Sequence, residues 1–335
     1  MRVLLIGGTG SFTSRVMEKA VARGHDVLVY SRGHRPLLGD LRVRRLHAER
    51  AALRERAREI AEFSPDVVVD SICFQPRDAE DLVQLFGSAR RVVLISTVDV
   101  YGEDIGAAPV TEERVPAPVT PYARAKRSCE EIVLAGLGPR ATVFRPSHIL
   151  GRTFLTTSLW GRSQYLVDRV SKRKPIPAID GGRNLVTPVY AVDAAEWVVR
   201  SFDMEAADGQ IFNAVGGQIV TQRHYYECIA RALGVTVELF TVPSHVFKRY
   251  FDAPSQFNWH RPYSCAKAVA QLGYEPIGTP ELMLAETVGF MQKNGLVKDC
   301  SEQPFDDALI ELLVRHEAEL GNLFDAKLLQ SGKAV

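Results

Sequence analysis

With 335 residues, 46% of them hydrophobic, the chain is long enough for one large domain or two intimate ones with an ample core. A formal net charge of +1 with no block of like charges argues against a nucleic-acid binder or a protein drawn to anionic membranes. Five cysteines, Cys73, Cys129, Cys228, Cys265 and Cys300, follow no C-x-x-C spacing, which predicts free thiols, a reducing cytoplasmic setting and no structural metal. The first residues enter an apolar run without a signal-peptide pattern, and no apolar stretch approaches the roughly 20 residues needed to span a bilayer.

The run Arg2 to Ile6 reads as a buried parallel strand, Gly7 to Gly10 as a turn, and Phe12, Val16, Met17, Ala20 and Val21 as the apolar face of a helix. Gly24 ends that helix and Val27 to Tyr30 forms a second strand, so a whole βαβ unit fits in about 30 residues. Glycines at 7 and 10 let the backbone turn tightly and approach a pyrophosphate seated on the N–H groups and positive dipole end of the helix. The unit therefore predicts a bound dinucleotide, with Gly7, Thr9, Gly10, Ser11 and Phe12 around the phosphates.

After the second strand stand Ser31 and Arg32, where an acid would bind the ribose 2′-hydroxyl of NAD and a cation accommodates the 2′-phosphate of NADP. The acid is missing, so the cofactor is read as NAD(P) with NADP favoured, His34 and Arg35 serving as helpers. Arg42 to Leu46 is a weak third strand, and Glu49 follows it as a further cofactor contact. A charge-rich helix from Ala51 to Phe63 leads to strands at Asp66 to Asp70 and Arg91 to Ser96. Strands alternating with helices imply a parallel sheet covered on both faces, with Ser31, Cys73 and Ser96-Thr97 at its ligand-binding edge.

Tyr122 and Lys126 are four residues apart, hence on one face of a helix that Thr120-Pro121 would start. A phenol of pKa about 10 is a poor base at neutral pH, and lowering it by about three units requires about 4 kcal/mol of differential interaction. A neighbouring ammonium and a cationic nicotinamide supply interactions of the right sign.

Taken together, the glycine turn, the hydroxyl of Thr97 and the Tyr122/Lys126 pair resemble the extended and atypical short-chain dehydrogenase/reductase family, the NAD-dependent epimerase/dehydratases. Asp99-Val100-Tyr101-Gly102, the stretch Phe144 to Gly151, Tyr190 to Asp193 and Leu272 to Pro276 extend the resemblance over roughly residues 1 to 295. The resemblance implies Tyr122 as acid/base, Lys126 as its partner and ribose ligand, Thr97 as the hydroxyl that orients substrate, and a homodimer through the helix around Tyr122. Thr13 stands where the third glycine belongs, and Asp70 to Phe74 replaces the usual small-residue turn, as in the atypical branch. The 4,6-dehydratases of the family carry an acidic pair after the threonine, and here Val98 leaves only Asp99, either a single general base or a turn acid.

Beyond Gly151 the reading is of an amphipathic helix from Trp160 to Lys172, a basic cluster Lys172-Arg173-Lys174, and a helix Ala194 to Phe202 capped by Asp193. Val186 occupies the place of the family's diphosphate-binding arginine, with Arg183 as the nearest substitute. Phe247, Tyr250, Phe251, Phe257 and Trp259 either wall a pocket or serve as core or subunit contact, and Phe305 to Leu329 reads as an added helix pair. The expected architecture is α/β. A Rossmann-type doubly wound parallel sheet over 1–150, rejoined by a segment around 185–215, is followed by a smaller discontinuous substrate domain over 151–295 and a helical extension over 296–335. The expected function is epimerase/dehydratase-type hydride transfer on a sugar nucleotide or related polyol through a transient ketone. An NADPH-dependent ketoreductase of a natural-product intermediate is the alternative. A non-catalytic dinucleotide-binding or RNA-associated protein is the alternative of another class.

Overall fold

The computed structural model describes residues 1–34, 42–251 and 259–330, so the expectations placed on Arg35 and Phe257 lie outside the described residues. The chain divides into two compact units, the first made of 1–153, 186–219 and 260–286, the second of 154–185, 220–259 and the chain from 287 onward.

The first unit is built on a seven-stranded sheet. Its strands are β1 (Arg2–Ile6), β2 (Asp26–Ser31), β3 (Arg44–His47), β4 (Val67–Asp70), β5 (Arg91–Ile95), β6 (Ala141–Pro146) and the strand Gln210–Ala214. They lie in the order Gln210–Ala214, β6, β5, β4, β1, β2, β3, every neighbouring pair parallel. Successive side chains of a strand point to opposite faces, so Val3 and Leu5 enter one core and Leu4 and Ile6 the other. Helix α1 (Thr13–Ala22) covers the first face with Val16, Met17 and Ala20, beside Trp197 and Val198 of the helix Ala191–Arg200. Helices α2 (Ala57–Phe63), α3 (Pro76–Phe86) and α4 (Pro121–Leu137) cover the second with Ile60, Leu82, Cys129 and Val133. This is the doubly wound α/β fold that the alternation of strands and helices implies. The order reverses between β1 and β4, which opens a crevice beyond the carboxyl end of β1.

Two local readings change in this unit. The helix expected from Ala51 begins only at Ala57, because the chain first makes a 3₁₀ turn over Arg50–Ala52. Asp193 does not cap the helix Ala191–Arg200; it lies inside the first turn, where its carboxylate accepts from the Tyr274 hydroxyl (2.7 Å) and the N–H groups of Ile277 (3.2 Å) and Gly278 (2.9 Å).

The second unit has small strand pairs: Leu155–Thr157 runs antiparallel to Gly161–Ser163, and Ile176–Ile179 runs parallel to Leu239–Val242. The helix expected from Trp160 is reduced to Leu166–Ser171, since Gly161–Ser163 is strand. Phe247 is buried with Leu159, Ile179 and Val242 and stacks on Phe251, so it serves as core, while Tyr250 is exposed. The two lysines of the basic cluster are taken up by acids, Lys172 by Asp168 and Asp299, Lys174 by Asp307. Pro304–Gln330 is one continuous helix rather than a pair, as nothing in Arg315 to Leu320 breaks the helical pattern. Among the described residues no helix is long and apolar enough to cross a membrane.

Candidate active site and cofactor cleft

The turn after β1 has little room. Gly7 has φ +88° and gives its N–H to Tyr30 O at 2.9 Å. A Cβ there would lie 2.6 Å from Ser71 Oγ and 2.8 Å from Ile72 Cγ2, so both the backbone angle and the approach of the β4 loop require glycine. Thr13 explains its own departure from the three-glycine pattern. Its Oγ1 donates to Gly7 O at 2.8 Å and accepts from Gly10 N at 3.1 Å, bracing the turn from the start of α1.

Beside this turn opens a cleft of about 750 Å³, lined by Gly7, Thr9, Gly10, Ser31, Arg32 and Glu49 among the expected cofactor contacts. Ser11, Phe12 and Cys73 are not in its lining. The Phe12 ring belongs to the core, and the buried Cys73 thiol is held well above its ordinary pKa by a hydrogen bond to Cys129 and by burial. The volume, the backbone turn and the helix start suit a dinucleotide, and the cradle at Gly7 is one that a side chain would fill.

Arg50, which lines the cleft, pairs with the wholly buried Asp70 (3.1 Å), whose carboxylate also accepts from Ile72 N (2.8 Å). Burial raises the pKa of Asp70, and Arg50 opposes that shift.

The reacting groups stand on β5 and α4. Thr97 is buried just past β5 and accepts from Asp99 N at 3.2 Å, starting the 3₁₀ turn Val98–Tyr101. Thr120 starts α4 in the same way, accepting from Ala123 N at 3.0 Å, with Pro121 in the first turn. Tyr122 is 45% exposed, whereas Lys126, one turn on, is 2% exposed. The Lys126 ammonium donates to Ile95 O (2.6 Å) and Cys73 O (2.9 Å), tying α4 to the ends of β5 and β4. Burial lowers its pKa, with Cys73 and Asp70 acting in the opposite sense. Phe74, which lines the cleft, sits 5.1 Å from Lys126 Nζ by its ring centre and 6.4 Å from the Tyr122 ring, so the pair adjoins the cleft. α4 packs on the turn that holds Thr97.

Asp99 is not left open. Its carboxylate is bound by the guanidinium of Arg261, a residue that sequence reading missed. Arg261 is fixed in turn because its carbonyl accepts from Thr187 Oγ1 at 2.9 Å, and Thr187 Oγ1 accepts from Tyr263 N at 3.0 Å. No local pattern around Arg261 signals this pairing. Val186 is buried core, and Arg183 is exposed on the second unit.

A glycine turn at the switch point, a long cleft beside it and a tyrosine one turn from a buried lysine define a dinucleotide-dependent oxidoreductase of the Rossmann type. Residues 3–214 match the NAD dependent epimerase/dehydratase family, and the chain belongs to that family. Among curated proteins it is similar to 2'-dehydrokanamycin reductase of Streptomyces kanamyceticus, 26% identical over 253 residues, 73% of this chain and 70% of that protein. It is also similar to the chloroplast stem-loop binding protein of 41 kDa b of Arabidopsis thaliana, 25% identical over 251 residues, 70% of this chain and 63% of that protein. Of solved structures, the UDP-glucose 4-epimerase of Thermotoga maritima with UDP-glucose has a TM-score of 0.70 at 20% identity, over 88% of this chain and 99% of that one. The dTDP-glucose 4,6-dehydratase of Bacillus anthracis in complex with NAD has a TM-score of 0.71 at 20% identity, over 88% of this chain and 97% of that one. These two likenesses show the shared fold.

Proposed function

We propose that the enzyme interconverts a ketone and a secondary alcohol on a sugar-like polyol, with NADP(H) as cofactor. The observation that carries this is the exposed Tyr122 phenol set one helical turn from the buried Lys126 ammonium, beside a cleft of dinucleotide size. When bound, the cofactor supplies or accepts the hydride. Tyr122 gives its phenolic proton to the substrate oxygen in reduction and takes it back in oxidation. Lys126 favours the phenolate that remains and holds the nicotinamide ribose, and Thr97 Oγ1 orients the same substrate oxygen. Gly7, Thr9 and Gly10 hold the pyrophosphate end with the backbone N–H groups of Ser11 and Phe12 before α1, Glu49 lines the same cleft, and Ser31 with Arg32 faces the 2′-phosphate.

Reduction is favoured over dehydration because Asp99 is bound by Arg261, and a carboxylate so engaged is a poor general base. The 26%-identical relative is itself named 2'-dehydrokanamycin reductase, which supports the same reading. A second reading, epimerisation of a sugar nucleotide by the same Tyr122 and Thr97, is favoured by the likeness to epimerases, although Val186 lacks the cation for a diphosphate. In either case the protein is read as a cytoplasmic homodimer.

A panel of keto-sugars and sugar nucleotides, followed by mass and NMR analysis, tests this. Reduction consumes NADPH and adds two hydrogens, epimerisation conserves mass, dehydration loses water, and a protein that only binds changes nothing. Tyr122→Phe is expected to lower kcat by roughly a hundredfold or more while cofactor still binds; undiminished turnover would remove the assigned acid/base.

A further inference from the structure

Acids stand in and beside the cleft, yet their charge is used. Asp70 pairs with Arg50, Asp81 is bound by Arg54 and lies 3.6 Å from Arg50, and Asp78 accepts from Phe74 N (2.9 Å) and Gln75 N (3.0 Å) to close the start of α3. Arg50 is engaged as well, with a further bond to Asp78 O at 2.8 Å.

The rim is different. Arg32, after β2, and Arg77, in the first turn of α3, both line the cleft, both are exposed, and neither forms an ion pair among the described residues. They come from opposite walls, since β2 and β4 flank β1 in the sheet and α3 follows β4. Glu49 is the one other charge on the rim that no arginine neutralises among the described residues, so the two guanidinium groups leave an excess of one positive charge. Two like charges facing one cleft repel, and a doubly charged anion placed between them turns that repulsion into attraction. Planar guanidinium groups match phosphate oxygens in pairs.

We propose that Arg77 and Arg32 form a two-armed clamp for the 2′-phosphate of NADP, with Arg77 a specificity-determining residue supplied by the wall opposite β2. The clamp rests on the reading of the cofactor as NADP, which Ser31, Arg32 and the missing acid after β2 motivated without Arg77. Arg77 escapes a sequence reading because an exposed cation in the first turn of a helix looks like ordinary solvated charge.

The test titrates the full-length protein with 2′,5′-ADP, 5′-AMP, NADP⁺ and NAD⁺, for wild type, Arg77→Ala, Arg77→Lys and Arg32→Ala, with melting curves as a check on folding. Arg77→Ala is expected to weaken 2′,5′-ADP and NADP⁺ by roughly tenfold or more, to leave 5′-AMP and NAD⁺ unchanged, and Arg77→Lys to recover part of the loss. If wild type prefers NADP⁺ and only Arg32→Ala removes that preference, the clamp is overturned and the cofactor reading stands. If wild type binds NAD⁺ as tightly as NADP⁺, both fall. An equal loss for all four ligands on Arg77→Ala also overturns the clamp, because it places Arg77 on the shared part of the cofactor.

Discussion

The two units satisfy their backbones in different ways. In the first, seven parallel strands bond to one another, and alternate side chains feed two continuous cores. In the second, strands of two to four residues pair only in twos, and buried phenols complete the bonding: Tyr225 Oη accepts from Thr156 N (3.1 Å) and Tyr226 Oη from Ser158 N (2.8 Å). Its last helix is attached by polar contacts too, Trp160 Nε1 to Asp306 (2.8 Å) and Arg169 to Asp307 (2.8 Å). A wide sheet can therefore be built from repeated apolar runs, whereas a unit with narrow sheets depends on a few polar side chains that reach across long stretches of chain.

The largest expected effect tests whether the first unit is as independent of single polar pairs as its sheet suggests. Arg145 and Glu130 are buried and doubly bonded (2.9 and 2.6 Å), joining β6 to α4, with the guanidinium 4.8 Å from the Tyr101 ring centre. Glu130→Ala strands a buried guanidinium and should cost about 3–5 kcal/mol in urea unfolding. A loss below about 1 kcal/mol would show that the sheet alone carries the unit.

Next comes Tyr226→Phe, which keeps the ring and removes the acceptor of Ser158 N. The expected loss is about 1–3 kcal/mol by the same measurement. No loss would mean that the second unit does not rely on its phenols, and the contrast would weaken.

The smallest effect is a pH dependence in the first unit. Burial acts to raise the pKa of Glu196, but bonds from Lys19 (2.8 Å) and Arg200 (2.7 Å), with Arg23 adjacent, hold it near 2, below the ordinary 4.5. A depressed carboxylate stabilises fully above its unfolded pKa, so this contribution should fade as pH drops from about 4.5 toward 2. Glu196→Gln should flatten that stretch of a stability-versus-pH curve. An unchanged slope would show that the α1 contacts contribute little.

The amino-acid order by itself determined β1, the glycine turn and α1, and it placed Tyr122 and Lys126 on one helical face. These are short-range matters: backbone angles, capping and apolar period act within a few residues. It misjudged Trp160 to Lys172, where helical spacing was overridden by strand pairing, and it could not anticipate what Asp193 binds. Only the tertiary structure brought Arg261 to Asp99, Glu130 to Arg145, and Arg77 to the cleft that Arg32 lines. Such meetings are decided by strand order and by which loops close on which. A charged side chain carries no mark of its distant partner in the residues beside it.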